Sequence, residues 1–381
     1  MFLPAVLVAA SDAAWTRHSI DSSSQGADGV RLADVNGDGL QDITTGWEEG
    51  GRVRVYLNPG PNKVKESWPA VTVGTVGSPE DAVFADLDAD GAWDVVSSTE
   101  GEEQTLYVHW APKNPKRYLD PKEWTTEAVP SSKGLTMWMF VLPMDIDGRN
   151  GVDLFAGSKT RDARIGWWQS PADPRKLADW KWHPLYDAGW IMSLIGHDMD
   201  GDGDQDLVST DRKGSKSGIV WFENPTWREQ RIGTVGEEEV MFMKMADLDG
   251  DGLKEAITAV KDGPIVWYRR TGKGWERFEI EMPPGTGTGK GVAVADFDLD
   301  GRLDIAFTCE NAVGGRAGAM WLSWQNAVTD PVWAAHPISG PEGIKFDRIE
   351  LLDLDGDGDL DLITCEERDN LGVIWYENPA R

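Results

Sequence analysis

Residues 353–361 read DLDGDGDLD, with carboxylates at Asp353, Asp355, Asp357 and Asp361 and a glycine, Gly358, just after the third. This is the pattern of a metal loop. Alternating acidic residues in a tightly curled backbone turn their oxygens inward, and glycine permits the left-handed conformation needed at the sixth position. Six further copies occur: DVNGDGLQD from 34, DLDADGAWD from 86, DIDGRNGVD from 145, DMDGDGDQD from 198, DLDGDGLKE from 247 and DFDLDGRLD from 296. They recur about every 50 to 60 residues, and such a period without long helical patterns between copies marks propeller blades or another β array.

The same order of features surrounds each copy. An apolar run precedes the loop (VRLA, AVFA, VAVA), a β-branched run follows it (DITT, DVVSS, DIAFT), and a glycine-containing turn leads to an aromatic strand such as VRVYLNP or GVIWYENP. A fourth strand then opens on Trp68, Trp124, Trp180, Trp227, Trp275 or Trp333. The chain stops where the seventh fourth strand should begin, and AWTRHSI (Ala14 to Ile20) carries that pattern ahead of the first loop. The expected fold is therefore all-β: one seven-bladed propeller over residues 14–381, its four-stranded blades closed by the N-terminal strand completing the last one. An open solenoid or two smaller sheets would have no use for a displaced strand.

By position, the first loop offers Asp34, Asn36, Asp38 and Asp42 with the Leu40 carbonyl, and the second Asp86, Asp88, Asp90 and Asp94 with that of Ala92. The third offers only Asp145, Asp147 and Asp153, because Arg149 stands where an acid belongs and could bridge the aspartates in place of an ion. The fourth supplies Asp198, Asp200, Asp202 and Asp206 with the Asp204 carbonyl, and the fifth Asp247, Asp249, Asp251 and Glu255 with that of Leu253. The sixth supplies Asp296, Asp298, Asp300 and Asp304 with the Arg302 carbonyl, and the seventh the four aspartates above with that of Asp359. All-oxygen donors with several carboxylates suit Ca2+ better than zinc, copper or magnesium. About six calcium sites are expected, with the loop at 145–153 weak or empty; acidic β-turns without metal are the alternative.

These residues resemble the FG-GAP or VCBS repeats of integrin α subunits and of many bacterial extracellular proteins. The resemblance implies a seven-bladed propeller whose loops bind calcium on the face opposite the usual ligand-binding loops. The FG and GAP signatures survive only as fragments such as TTGW and FAGS, so integrin-type ligand recognition is not implied.

A formal charge of −28 argues against nucleic acid or an anionic membrane as the principal partner. No run of 18 or more apolar residues exists to span a membrane. The segment FLPAVLVAA (Phe2 to Ala10) resembles a short secretory h-region, with Val8 and Ala10 suited to cleavage, although it lacks a basic n-region. Residues 1–13 are accordingly expected to be the remnant of a signal peptide or an apolar tail, and the protein to be secreted and monomeric. Cys309 and Cys365 are too few for a disulfide scaffold and are either buried thiols or one bridge.

Three of five histidines, His18, His183 and His336, each follow a fourth-strand tryptophan by three residues, which makes them repeat positions rather than a catalytic centre. His109 lies in a third strand, and His197 adjoins a metal loop. GTGTGKG at 285–291 lacks the spacing of a phosphate loop. The loops leading into the first strands hold Asp28, Glu80, Asp81, Trp138, Trp190, Lys290, Lys345, Asp347 and Arg348. Those between second and third strands hold Trp47, Glu48, Lys159, Arg161, Asp211, Arg212, Lys213, Lys261, Asp262, Glu310, Glu366 and Arg368. Aromatics mixed with both charges suit a carbohydrate or a polar protein surface. The expected function is a calcium-stabilised binding or adhesion module for carbohydrate or extracellular protein. The alternative is a carbohydrate-active enzyme of the polysaccharide lyase or sugar dehydratase type, marked by a convergent acid and base.

Overall fold

A computed structural model describes residues 13–381. The expected secretory segment, Phe2 to Ala10, lies outside the described residues. The chain is all-β, with seven four-stranded antiparallel sheets forming the blades of a propeller. It divides into two compact units.

Ser23–Glu238 carries blades one to four. Blade one runs Ala27–Ala33, Asp42–Trp47, Arg52–Tyr56 and Ala70–Thr75. Blade two runs Pro79–Ala85, Asp94–Thr99, Leu106–Trp110 and Thr125–Ala128. Blade three runs Met137–Met144, Asp153–Lys159, Arg164–Gln169 and Lys181–Asp187, and blade four Ile191–His197, Asp206–Asp211, Gly218–Glu223 and Arg228–Ile232. The second strands of blades one, two and four are buried along their whole length, which is why they read as continuous β-branched runs instead of alternating. Within blade three, in the cluster it shares with blade two, Trp138 meets Trp168 edge-on with ring centroids 5.0 Å apart, and Trp182 packs on both. Each aromatic pair of this kind adds about 0.5–1.5 kcal/mol beyond area burial.

The second unit holds blades five to seven. Blade five runs Val240–Ala246, Glu255–Val260, Ile265–Thr271 and Gly274–Ile280, and blade six Thr288–Ala295, Asp304–Glu310, Ala319–Ser323 and Ala334–Pro337. Blade seven has Glu350–Leu352, Asp361–Glu366 and Gly372–Glu377, and its fourth strand is Thr16–Asp21, antiparallel to Gly372–Glu377. The displaced strand therefore sits where the repeat places it. Trp15 ahead of it is buried against Phe297 and Trp321, as the leading tryptophan of a fourth strand should be.

One shared feature was not visible in the repeat pattern. In blades one to six the first strand shifts register against the second at the same level, a β-bulge. A buried second-strand hydroxyl satisfies a carbonyl of such a stretch, either in its own blade, where Thr258 Oγ1 donates to Phe242 at 2.9 Å, or in the next, where Ser98 Oγ of blade two donates to Met139 of blade three at 2.6 Å. The bulges lie near the end of the strand remote from the acidic loop, so they re-aim the segments that lead into each first strand.

Candidate functional site

Each acidic loop joins the first strand of its blade to the second and is curled by its own side chains. Asp34 accepts the N–H of Gly37 at 2.8 Å and of Gly39 at 2.9 Å, Asn36 that of Asp38 at 2.9 Å, and Asp38 that of Leu40 at 2.9 Å. The ninth residue acts differently. Asp42 is fully buried and accepts from Val35 at 3.1 Å and from Asn58 at 2.8 Å, tying the loop to the end of the third strand. Asp94, Asp153, Asp206 and Asp361 repeat this two-sided clip. Burial, with the neighbouring loop carboxylates in support, drives these carboxyls up: Asp42 and Asp153 to about 6, Asp94 and Asp361 to about 7, and Asp304 to about 8.

The fourth loop position also has a positive φ, which the sequence conceals in two copies by placing Ala89 (φ 56°) and Leu299 (φ 59°) there. At the sixth position Asn150 takes φ 60° where the other copies have glycine.

The donor groups fit a hard cation. Oxygens of Asp86, Asp88 and Asp94 lie within 4.8 Å of one another, as do those of Asp145, Asp147 and Asp153 and of Asp198, Asp200 and Asp206. Among the described residues, buried oxygens of Asp204, Asp247, Glu255 and Asp359 have no hydrogen-bond partner, and such orphans call for an external ligand. Arg149 does not bridge the aspartates of the third loop. It is exposed and forms no ion pair among the described residues; only its backbone N–H meets Asp147. A cation does approach the second loop, where Arg175 pairs with Asp88, lies 3.7 Å from Asp90 and packs on Trp110.

At the other end of the same strands, several residues expected on the ligand surface are internal supports. Trp47 and Trp138 are fully buried, their indoles donating to the Tyr56 hydroxyl at 2.9 Å and the Ser132 carbonyl at 3.1 Å. Asp81 is buried, holds Arg31 through both oxygens at 2.7 and 2.9 Å and accepts the N–H of Val141. Asp211 is buried and clamps the N–H groups of Gly189 and Trp190. In the second unit, Lys290 and Asp347 form a buried pair at 3.4 Å, and buried Glu366 gathers the N–H groups of Ile344, Lys345, Arg368, Asp369 and Leu371. Lys345 pairs with Glu367, Arg348 with Glu350 at 3.3 Å and Lys261 with Glu239 at 3.5 Å, while Glu310 is half-buried and Arg368 exposed. Arg161 is exposed beside Asp162.

What remains accessible in Ser23–Glu238 centres on Lys159 and half-buried Trp190. Lys159 pairs with Glu100 and lies 3.6 Å from Glu80, and Glu80 in turn converges with Asp28 and Glu48 to within 4.8 Å. Burial and the charge of Asp28 push Glu80 well above the usual carboxylate range. Glu100 goes down, because hydrogen bonding from Glu48 and the charge of Lys159 outweigh its burial. Glu100 escaped sequence reasoning, yet it stands six residues after Asp94, as Glu310 stands six after Asp304, Glu48 six after Asp42 and Lys159 six after Asp153, and that alignment would have found it.

The histidines behave as the repeat implies. His18, His183 and His336 stack on Trp375, Trp167 and Trp321 of the adjacent strand, with centroids 4.3, 4.4 and 3.9 Å apart. His109 is fully buried between the Ser97 and Thr126 hydroxyls, and His197 pairs in register with Asp206. Cys309 and Cys365 are both free and buried. Among the described residues, no helix is long and apolar enough to cross a membrane.

The family profile described as FG-GAP-like repeat matches residues 34–97 and 247–307, so repeats of this kind are present in both units. No curated protein matches the sequence. Among solved structures, two of BBS1N in complex with ARL6DN, soaked with mercury and with lead, match at TM-scores of 0.54 and 0.56 with 10% identity. The matches cover 95% and 96% of this chain and 96% and 98% of theirs. Sqt1 of Saccharomyces cerevisiae matches at 0.52 with 10% identity, over 96% of this chain and 98% of its own. At such identity these likenesses establish the fold alone.

Proposed function

We propose that this propeller of FG-GAP-like repeats is a secreted binding module, stabilised by calcium in its acidic loops, that takes carbohydrate or extracellular protein ligands at the opposite ends of its strands. The observation that carries the reading is the separation of two chemistries along one pair of strands. Unpartnered carboxylate oxygens gather at one end, and a half-exposed tryptophan among charged groups of both signs lies at the other. The first would supply rigidity when a divalent ion fills it, and the second a polar and aromatic surface of the kind ligands use. The neighbour BBS1N, seen with ARL6DN, supports a partner-binding use of this fold.

A carbohydrate-active enzyme is the second reading, favoured by Glu80 and Glu100. Burial and Asp28 drive the Glu80 carboxyl up, while hydrogen bonding and Lys159 draw its neighbour Glu100 down, the separation that an acid and a base require.

A glycan array with calcium-loaded protein, followed by product analysis on every hit, separates the two. Retention without turnover supports the module. Turnover that disappears in Glu80→Gln establishes the enzyme and overturns the first reading.

A further inference from the structure

We propose that Trp190 and the cations around it form a subsite for a hexuronate unit flanked by neutral sugars, an inference that rests on the binding-module reading. Three cationic groups converge on this one indole: Lys213 Nζ lies 4.5 Å from its centroid, Lys159 Nζ 4.8 Å and the Arg212 guanidinium 5.1 Å. The indole Nε1–H is buried and has no hydrogen-bond partner.

The platform is built before any ligand arrives. Asp211 accepts from Trp190 N at 2.8 Å and Gly189 N at 3.0 Å, the Trp190 carbonyl accepts from Arg212 N at 2.6 Å, and the Gly189 carbonyl accepts from Thr160 N at 3.2 Å. Gly189 is required for this approach, since a Cβ there would stand 1.7 Å from the Lys213 carbonyl oxygen. The segments carrying Lys159, Trp190 and Lys213 are thereby fixed together, and little order is lost on binding.

The three cations differ in what they already hold. Lys159 is engaged by Glu100 and Glu80, and Arg212 is buried. Lys213 is half-exposed and forms no ion pair among the described residues. A ligand carboxylate draws its ammonium off the ring, because a charge-assisted hydrogen bond exceeds a half-exposed cation–π contact. The vacated indole face then takes the apolar side of a pyranose. Beyond Lys159, the carboxylates of Glu48 and Glu100 can accept from sugar hydroxyls and repel a second anionic group. That arrangement favours one uronate among neutral sugars over an acidic peptide, which carries a charge at every unit. The overall charge of −28 does not prevent it, because charges more than about 8 Å away are screened at physiological salt.

The test is equilibrium binding of the calcium-loaded full chain to hyaluronate and to glucuronoxylan, each beside its carboxyl-reduced form, with poly-L-glutamate as the peptide arm. We expect at least one of the two glycans to bind. Carboxyl reduction should weaken it by about tenfold or more, the loss expected when a charged hydrogen bond is removed. Lys213→Ala should lose a similar factor at unchanged melting temperature, and Lys213→Arg should retain most of the affinity. Failure of both glycans, equal binding of the reduced forms, equal binding of poly-L-glutamate, or wild-type affinity in Lys213→Ala overturns the subsite. Binding to neutral glycans alone removes the uronate assignment and leaves the module reading intact.

Discussion

Asp361 joins two distant points of blade seven: one carboxylate oxygen accepts the N–H of Leu354 at 2.9 Å and the other that of Asn378 at 2.9 Å. The last carboxylate of the acidic motif is thus a structural clip as well as a neighbour of the proposed cation position. The ninth position should therefore matter with or without metal, and the third mainly with it. Asp361→Ala leaves two buried N–H groups unpaired and should cost about 2–4 kcal/mol in both EDTA and calcium. Asp355→Ala should cost little in EDTA and lower the melting temperature in calcium. Paired thermal melts of the two variants check this.

Arg175 competes for the second loop through Asp88 and Asp90. Arg175→Ala should raise calcium affinity at that loop, since a like charge at an occupied cation site opposes binding. Calorimetric titration should find one class of site tightened, with the other loops unchanged.

Ala89 and Leu299 occupy left-handed backbone that glycine takes in the other copies. Holding an L side chain there costs about 1–2 kcal/mol, so Ala89→Gly and Leu299→Gly should each stabilise the protein, less the extra freedom glycine gains when unfolded. Chemical denaturation midpoints should rise for both.

His109 is buried without a charged partner, and burial pushes its pKa down to about 3. The unfolded chain takes up a proton near pH 6.5 that the folded protein refuses. This contribution to stability is fully present above about pH 6.5 and is lost as pH falls toward about 3, with a slope approaching 1.4 kcal/mol per pH unit. His109→Gln should be less stable at pH 7 and show a shallower loss between pH 6 and pH 4, read from urea melts across that range.

The blade order was legible because seven acidic loops mark the same turn, and the missing fourth strand told where Thr16–Asp21 must pair. Side-chain burial at strand ends was not legible. Trp47 and Trp138 lie next to turns, which suggests exposure, but both are fully buried with their indole N–H groups bonded inside the fold. The bulges escaped for a related reason, since a register shift leaves no mark on an apolar run. In the candidate site, Lys159 and Trp190 were identified from their loops, while Glu100 was hidden because it just follows a strand and reaches its partners only through the fold.

The most direct test of the central claim, that the acidic loops hold calcium which stabilises the propeller, is a melting curve in EDTA followed by return of calcium or magnesium in equal amount. Ions bound only to the folded state add stability by mass action, and each kcal/mol gained raises the melting temperature by about 2–4 °C in domains of 150–250 residues. The predicted result is a fall of several degrees in EDTA, reversed by calcium and not by magnesium. A melting temperature that EDTA leaves unchanged would contradict it.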